Sequence, residues 1–463
     1  MTERTAVRLL TAVLLLGIAI IFCNLWSGSL EDWDEARTAE RAREILVLGD
    51  WLTIHWNYQP DFIKPPLYYW LTALVYQVIG VSEFGARLWS ALFGVLGFYA
   101  VYRLGKVVFS AAVGAVAAAL LLTIPYYLAY ARIAMLDTGL LSFGVLALCA
   151  FLSQAPLWGW AFLGIGFMIK GPWIFFYALP LPLWWLTQKD WRLIRDPKFY
   201  LGVVIFLVIV LPWHLVQYAV HGQTFFDSYV GHQIMRRIQQ PLGSHRQGPF
   251  FYFVQLLAKW HVWIYWFITG HFVVGWQGKD GRKLAFLDLW ILLVLLSFTL
   301  LISTKRTRYL VLVYPALAVV VAYYILYAVE HLRWGKQWLA LSIAISVALF
   351  LYLHKFRLDF NAEVKMLGQV VQQYPLNAQP VLAFQVMKAV IVFYCRRPVQ
   401  AVSSPEELLQ ILHSDSLVIL TKEGTALSSL EQHGIKFRTL YEGPTYLLVT
   451  PSGMAGQASQ SSE

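Results

Sequence analysis

The chain has 463 residues, of which 59% are hydrophobic and 13% charged, and its mean hydropathy is +0.58. Soluble domains do not have this composition, so the sequence reads as a polytopic membrane protein. The formal net charge of +10 is small and dispersed, which argues against nucleic acid as a partner and reads instead as loop topology.

Arg4 and Arg8 precede an apolar run from Leu9 to Trp26. No small-residue cleavage site follows it, so an uncleaved first span is expected. Residues 27–83 then form a large outer first loop, with a polar island from Glu31 to Tyr69. Glu31, Asp32, Asp34 and Glu35 crowd its first turn, and Arg37, Glu40, Arg41, Arg43 and Glu44 follow at helical spacing. An aromatic loop ends in Lys64-Pro65-Pro66. Clustered acids, a lysine and aromatic walls suit the transfer of a sugar away from a phosphate.

Apolar runs of spanning length are expected at 86–108, 111–130, 137–153, 156–170, 172–187, 199–220, 250–274, 284–303, 309–329 and 337–354, about eleven spans with the first. With the N-terminus inside, four basic loops fall on the cytoplasmic side. They hold Arg103 and Lys106; Lys189, Arg192, Arg195 and Lys198; Lys279, Arg282 and Lys283; and Arg333 and Lys336. The polar island, Asp137, the turn at Lys170, the 221–249 loop and the segment Lys305 to Arg308 then face the opposite compartment. Lys305, Arg306 and Arg308 break the charge rule there, and such a cluster suits a phosphate.

Beyond Lys355 the composition becomes that of a small soluble α/β domain, 355–450, outside by parity. Strand-like runs at Val381–Phe384, Ala389–Tyr394, Leu417–Thr421 and Tyr446–Val449 alternate with helical patterns at Phe360–Gln373, Pro405–Leu412 and Thr425–His433. The Ser/Gln/Gly-rich stretch 451–463 is expected to be disordered. Cys23, Cys149 and Cys395 are too scattered for a disulfide framework. There is no internal repeat, Gly-rich phosphate loop, zinc-type spacing or nucleophile elbow.

DEARTAERAREIL from Asp34, GDW from Gly49, KPPLYYWLTAL from Lys64, GVSEFGARLWSAL from Gly80, MLDTGL from Met135, HRQGPFFYF from His245 and RYLVLVYPALAVV from Arg308 occur in that order. This series resembles the bacterial aminoarabinose transferases of lipid A and their relatives in the GT-C superfamily, which includes the protein O-mannosyltransferases. The resemblance covers residues 1 to about 330; the C-terminal domain matches in position and size only. It implies an all-α GT-C-type membrane bundle, residues 1–354, in the bacterial inner membrane. The implied activity is inverting transfer of a sugar from a polyprenyl-phosphate donor to a lipid or glycan acceptor outside, lipid A first. Transfer to protein Ser/Thr hydroxyls, or transport of a lipid-linked glycan, are the alternatives.

Through the same resemblance Asp34 and Asp137 match the two acidic positions and become the catalytic candidates, and Lys64 matches the lysine that would hold the donor phosphate. Each has a plainer reading: both aspartates can cap helices, and Lys64 can be a solvated loop lysine. Arg37, one turn past Asp34, is a further substrate-binding candidate or a partner of its neighbours. Arg308, Tyr309 and Lys305 suit the phosphate or lipid headgroups. Lys170-Gly171-Pro172 reads as a capped turn, and Lys259 and His261 as snorkelling or cavity-lining. His232 is a substrate-binding candidate within a histidine set, His221, His232 and His245, that invites a divalent cation. Relatives, however, often carry glutamate where this chain has Ile63 and Gly231, and without those carboxylates no metal ligand is assigned.

Overall fold

The computed structural model describes residues 1–188, 191–235, 247–276, 280–302, 305–355, 359, 361–374, 380–413, 415–422 and 436–452. His245, the Thr425–His433 helix pattern and the tail beyond residue 452 lie outside them. The chain divides into two compact units, Met1–Leu25 with Phe62–Leu71 and Arg87–Arg357, and Trp26–Asp61 with Thr72–Ala86 and Leu358–Glu463.

In chain order the helices are α1 (Glu3–Phe22), α2 (Asp34–Leu48), α3 (Leu67–Ile79), α4 (Glu83–Val108), α5 (Ala111–Leu122), α6 (Pro125–Ala131), α7 (Asp137–Leu152), α8 (Pro156–Lys170), α9 (Phe175–Ala178), α10 (Leu181–Gln188), α11 (Arg192–Arg195) and α12 (Pro197–Phe226). Then follow α13 (Phe251–Val273), α14 (Gly281–Leu296), α15 (Tyr314–His331), α16 (Gly335–Lys355), α17 (Ala362–Gln373), α18 (Ala389–Cys395) and α19 (Pro405–Ile411). Among the described residues seven helices are long and apolar enough to cross a membrane, or eight if α5 and α6, bent by 76°, form one span.

The expected runs and the observed helices differ in places, for local reasons. The runs at 156–170 and 172–187 form one 31-residue stretch, Pro156–Leu186, broken internally where Gly171 takes φ +77° and Pro172 follows. The run at 137–153 is only 16 residues of helix. The run at 250–274 is interrupted at His261, whose backbone is non-helical. The 221–249 loop is also shorter than expected, since α12 continues to Phe226 and a π-helix covers Asp227–Met235. His221 thus sits on a helix, its ring 4.8 Å from that of Phe62.

The second unit contains α2 and a five-stranded sheet. A short hairpin, β1 (His55–Trp56) with β2 (Gln59–Pro60), precedes the strands β3 (Val381–Phe384), β4 (Val399–Val402), β5 (Val418–Thr421), β6 (Phe437–Glu442) and β7 (Tyr446–Pro451), arranged β4-β3-β5-β7-β6. β3 pairs parallel to β4 and β5, and β7 antiparallel to β5 and β6. Leu382, Phe384, Val402, Leu408, Val418, Leu420 and Val449 form a core on this sheet. Ala389–Tyr394, expected as a strand for its β-branched residues, is helical: every residue of α18 is buried, and a helix apolar all round carries no amphipathic period.

The segments around α2 are fastened to the α/β part by polar contacts. Asn57 acts as a strand edge, donating to Val399 O and accepting from Val399 N at 2.8 Å each. Tyr394 Oη accepts from Leu30 N at 2.8 Å and donates to Glu83 at 3.0 Å. Inside α2, Arg43 donates twice to Glu40, at 2.8 and 2.6 Å. Glu44, fully buried, accepts from Tyr58 N at 2.9 Å. Burial first, then the neighbouring Glu40 carboxylate, pushes Glu44 up to about 9.

That shift has a sign. A folded pKa above the unfolded value leaves stability complete below about 4.5 and erodes it as pH rises toward about 9. Glu44→Gln, which keeps an acceptor for Tyr58 N, should flatten this dependence and raise thermal stability at pH 8. A melting curve that moves with pH equally in both proteins would refute it.

Candidate active site

In the first unit, α7 starts at Asp137, which does not serve as a cap: the N-cap is Leu136, and no side chain caps the helix. Asp137 instead forms an ion pair with Lys170, the last residue of α8, and the two side chains are only 5% and 9% exposed. A carboxylate and an ammonium withdrawn from water stabilise each other, and replacing Asp137 leaves a buried ammonium without that carboxylate. The reading of Lys170 as a mere turn residue is thereby corrected.

Gly171 turns the chain beyond Lys170. A Cβ there would lie 3.1 Å from Tyr229 Oη and 3.7 Å from Pro65 Cδ, so the Lys64-Pro65-Pro66 segment runs against the Lys170–Gly171 turn. Trp173 follows, its ring 20° from parallel to Tyr309 with centroids 5.7 Å apart, and Tyr309 packs at 4.6 Å on Phe298. Asp137, Lys170, Trp173, Arg308 and Tyr309 line one small cleft, closed by Leu140, Val311 and Leu312. The buried Tyr309 hydroxyl has no hydrogen-bond partner among the described residues. A cleft with a carboxylate, two cations, an aromatic wall and an unsatisfied hydroxyl can bind a phosphate and a polyol together.

In the second unit, Trp33 at φ +64° is the N-cap of α2, and Glu35 reaches back to accept from Glu31 N at 2.6 Å. Asp34 is the first helical residue rather than the cap, and it is partly buried. Arg37 lies 4.1 Å from the Trp56 ring centroid and 4.9 Å from that of Trp33. Its Nε is buried without a hydrogen bond among the described residues. Burial, then Arg41, pulls Arg37 below its ordinary range, against Asp61, Asp34 and Asp32, which favour its charge. Arg41 itself is taken by Asp61.

Asp137, Arg308 and Tyr309 are thus brought together, with the Lys64 segment against the same turn, while Asp34 and Arg37 share one helix face in the other unit. Lys305 does not line the cleft; its ammonium donates to Gly248 O at 3.0 Å. His232 belongs to the π-helix Asp227–Met235, and its side chain is outside the described residues. The sequence reading took Lys170 only as a turn residue and did not single out Trp173. The available signal was a lysine ending an apolar run, which needs a partner in a membrane bundle. Among the described residues no three of His, Cys, Asp and Glu gather closely enough to hold a metal ion.

Residues 63–215 match the family model described as dolichyl-phosphate-mannose-protein mannosyltransferase. The chain is 30% identical over 307 residues to an undecaprenyl phosphate-alpha-4-amino-4-deoxy-L-arabinose arabinosyl transferase of Pseudomonas fluorescens, covering 62% of this chain and 54% of that one. A transferase of the same name from Pseudomonas savastanoi pv. phaseolicola is 31% identical over 318 residues, covering 65% and 58%. The match spans little more than half the length of these two relatives. Among solved structures, ArnT from Cupriavidus metallidurans bound to undecaprenyl phosphate superposes with a TM-score of 0.77 at 21% identity, over 96% of this chain and 97% of that one. The Archaeoglobus fulgidus oligosaccharyltransferase in its apo form reaches 0.54 at 11% identity, over 90% and 69%. The fold is therefore mostly helical and ArnT-like, and the chain is similar to the arabinosyl transferases of the two Pseudomonas species.

Proposed function

We propose that this relative of the GT-C glycosyltransferases is an inverting enzyme that moves a sugar from a polyprenyl-phosphate donor to an acceptor at the outer face of the inner membrane. Lipid A or another envelope glycan is the favoured acceptor. The observation that carries the reading is the cleft where Asp137, Lys170, Arg308 and Tyr309 converge beside an aromatic wall. Departure of a polyprenyl phosphate leaves negative charge on oxygens, which a water-poor cleft penalises unless cations meet it. Lys64 and Arg308 are assigned to that phosphate, with Tyr309 donating its hydroxyl. Asp137 already shares its charge with Lys170, so it is assigned to positioning rather than to strong base chemistry. Asp34 is assigned to the acceptor, as base for a hydroxyl or as positioner for an acceptor already anionic. Arg37 is assigned to an anionic part of the substrate.

Mass spectrometry of lipid A and of glycoproteins from cells with and without the gene tests the function. A pentose, hexose or uronic acid increment lost from lipid A supports it; unchanged lipid A and other envelope glycans would reject it. The guanidinium of Arg308 can hold two oxygens at once, so Arg308→Lys should lose at least about tenfold in turnover although the charge remains. Wild-type turnover in that variant would remove Arg308 from the phosphate. Topology follows the basic loops, with N-terminus inside and the α/β part outside. A reporter active only in the cytoplasm, fused after Thr450, should stay silent, and a strong signal would reverse the orientation.

A further inference from the structure

We infer that the α/β part is a working part of the site: Tyr394, Asn361 and Asp359 are positioning residues that set the turn from which Asp34 enters α2. The turn runs from Ser29 to Trp33, and it belongs with these three residues to the second unit. Trp33 takes φ +64° and ψ −90°, and no side chain caps the helix that follows. A residue other than glycine keeps such a backbone only where its surroundings over-determine it. The inference rests on the reading of Asp34 as the group that meets the acceptor.

Residues from the far end of the chain supply that determination. Leu30 is fully buried, and α/β side chains satisfy both of its backbone groups: its N–H donates to Tyr394 Oη at 2.8 Å and its carbonyl accepts from Asn361 Nδ2 at 2.9 Å. Ser29 donates to Asp359 through its backbone N–H, at 3.0 Å, and through its hydroxyl. Asp32 Oδ1 accepts from Trp33 N at 2.8 Å and from Val390 N of α18 at 3.3 Å, so one carboxylate joins the turn to that helix. Tyr394 is held in its turn. Its hydroxyl donates to Glu83 at 3.0 Å, and Glu83 pairs with Lys365 of α17 at 2.6 Å. Ser29, Leu30 and Asp32 are thus each tied to partners 330 to 364 positions away in the chain. A buried backbone N–H that loses its acceptor is costly, so removing the Tyr394 hydroxyl should release the turn rather than leave it in place. Misplacing a reacting group by about 1 Å can cost up to about a hundredfold in rate.

The test compares the purified full chain with Tyr394→Phe, with Asn361→Ala, and with Ser404→Ala, which removes the side-chain cap of α19 elsewhere in the α/β part. Tyr394→Phe and Asn361→Ala should each lower turnover about tenfold with donor affinity unchanged, and the backbone amides of residues 30–36 should exchange hydrogen about tenfold faster. Ser404→Ala should melt earlier yet keep both the turnover and that exchange, which separates positioning from a general loss of stability. Tyr394→Phe added to Asp34→Asn should slow turnover no further than Asp34→Asn alone, since both act through one group. Full activity in Asp34→Asn would overturn the inference through its premise, whereas unchanged exchange at residues 30–36 in Tyr394→Phe would reject the clamp whatever Asp34 does. Losses that multiply in the double variant, or an equal loss of turnover in Ser404→Ala, would also overturn it.

Discussion

Lys64→Ala should abolish sugar transfer from a polyprenyl-phosphate donor while expression and detergent-solubilised stability stay near wild type. The lysine is partly buried on a segment whose next two residues, Pro65 and Pro66, are buried prolines, and Pro65 lies against the turn that follows Lys170. The two prolines fix the backbone on which the lysine is carried. Charge developing on a leaving phosphate is worth a few kcal/mol per well-placed donor, about two orders of magnitude in rate or more. Stability should hardly change, because truncating a partly exposed loop side chain seldom costs much. The check is turnover with a synthetic donor, with donor affinity measured separately. Unchanged affinity and turnover would remove the phosphate from this segment.

The second large effect separates the two aspartates. Asp34→Asn should fold normally, since Asp34 is not the cap of α2, and should lose about two orders of magnitude in turnover if it removes a base. Asp137→Asn should lose activity and also stability, because it leaves Lys170 charged and unpaired by that carboxylate in a site only 5–9% exposed. Breaking such a buried pair costs roughly 3–5 kcal/mol. Asp137→Asn combined with Lys170→Met should recover much of the melting temperature without recovering turnover. Full activity in Asp34→Asn, or a stable Asp137→Asn single variant, would contradict this division of roles.

Much of the bundle was legible because long apolar runs identify membrane helices by length alone, as for α1, α4 and α15. The breaks inside those runs were not, because proline, glycine and a strained His261 cut helices at places where hydropathy runs on smoothly. In the α/β part, β3, β5 and β7 followed their apolar pattern, whereas α18 was misread because complete burial erases the period that distinguishes helix from strand. β4 and β6 went unseen: both are edge strands with exposed or partly exposed residues and no continuous apolar run. Asp137, Arg308 and Tyr309 were singled out through an ordered set of motifs, and they line one cleft. Lys170 was read only as a turn residue for a different reason. Its partner lies 33 positions earlier in the chain, and pairing across that distance depends on how α7 packs on α8, which no local pattern records.

Purified protein reconstituted in liposomes with a labelled polyprenyl-phosphate sugar and lipid A decides most directly between transfer and transport. Sugar covalently joined to lipid A, with free polyprenyl phosphate released in equal amount and an inverted anomeric linkage, is the expected result. Label that crosses from one leaflet to the other while still attached to its polyprenyl phosphate, with no new glycosidic bond, would contradict it.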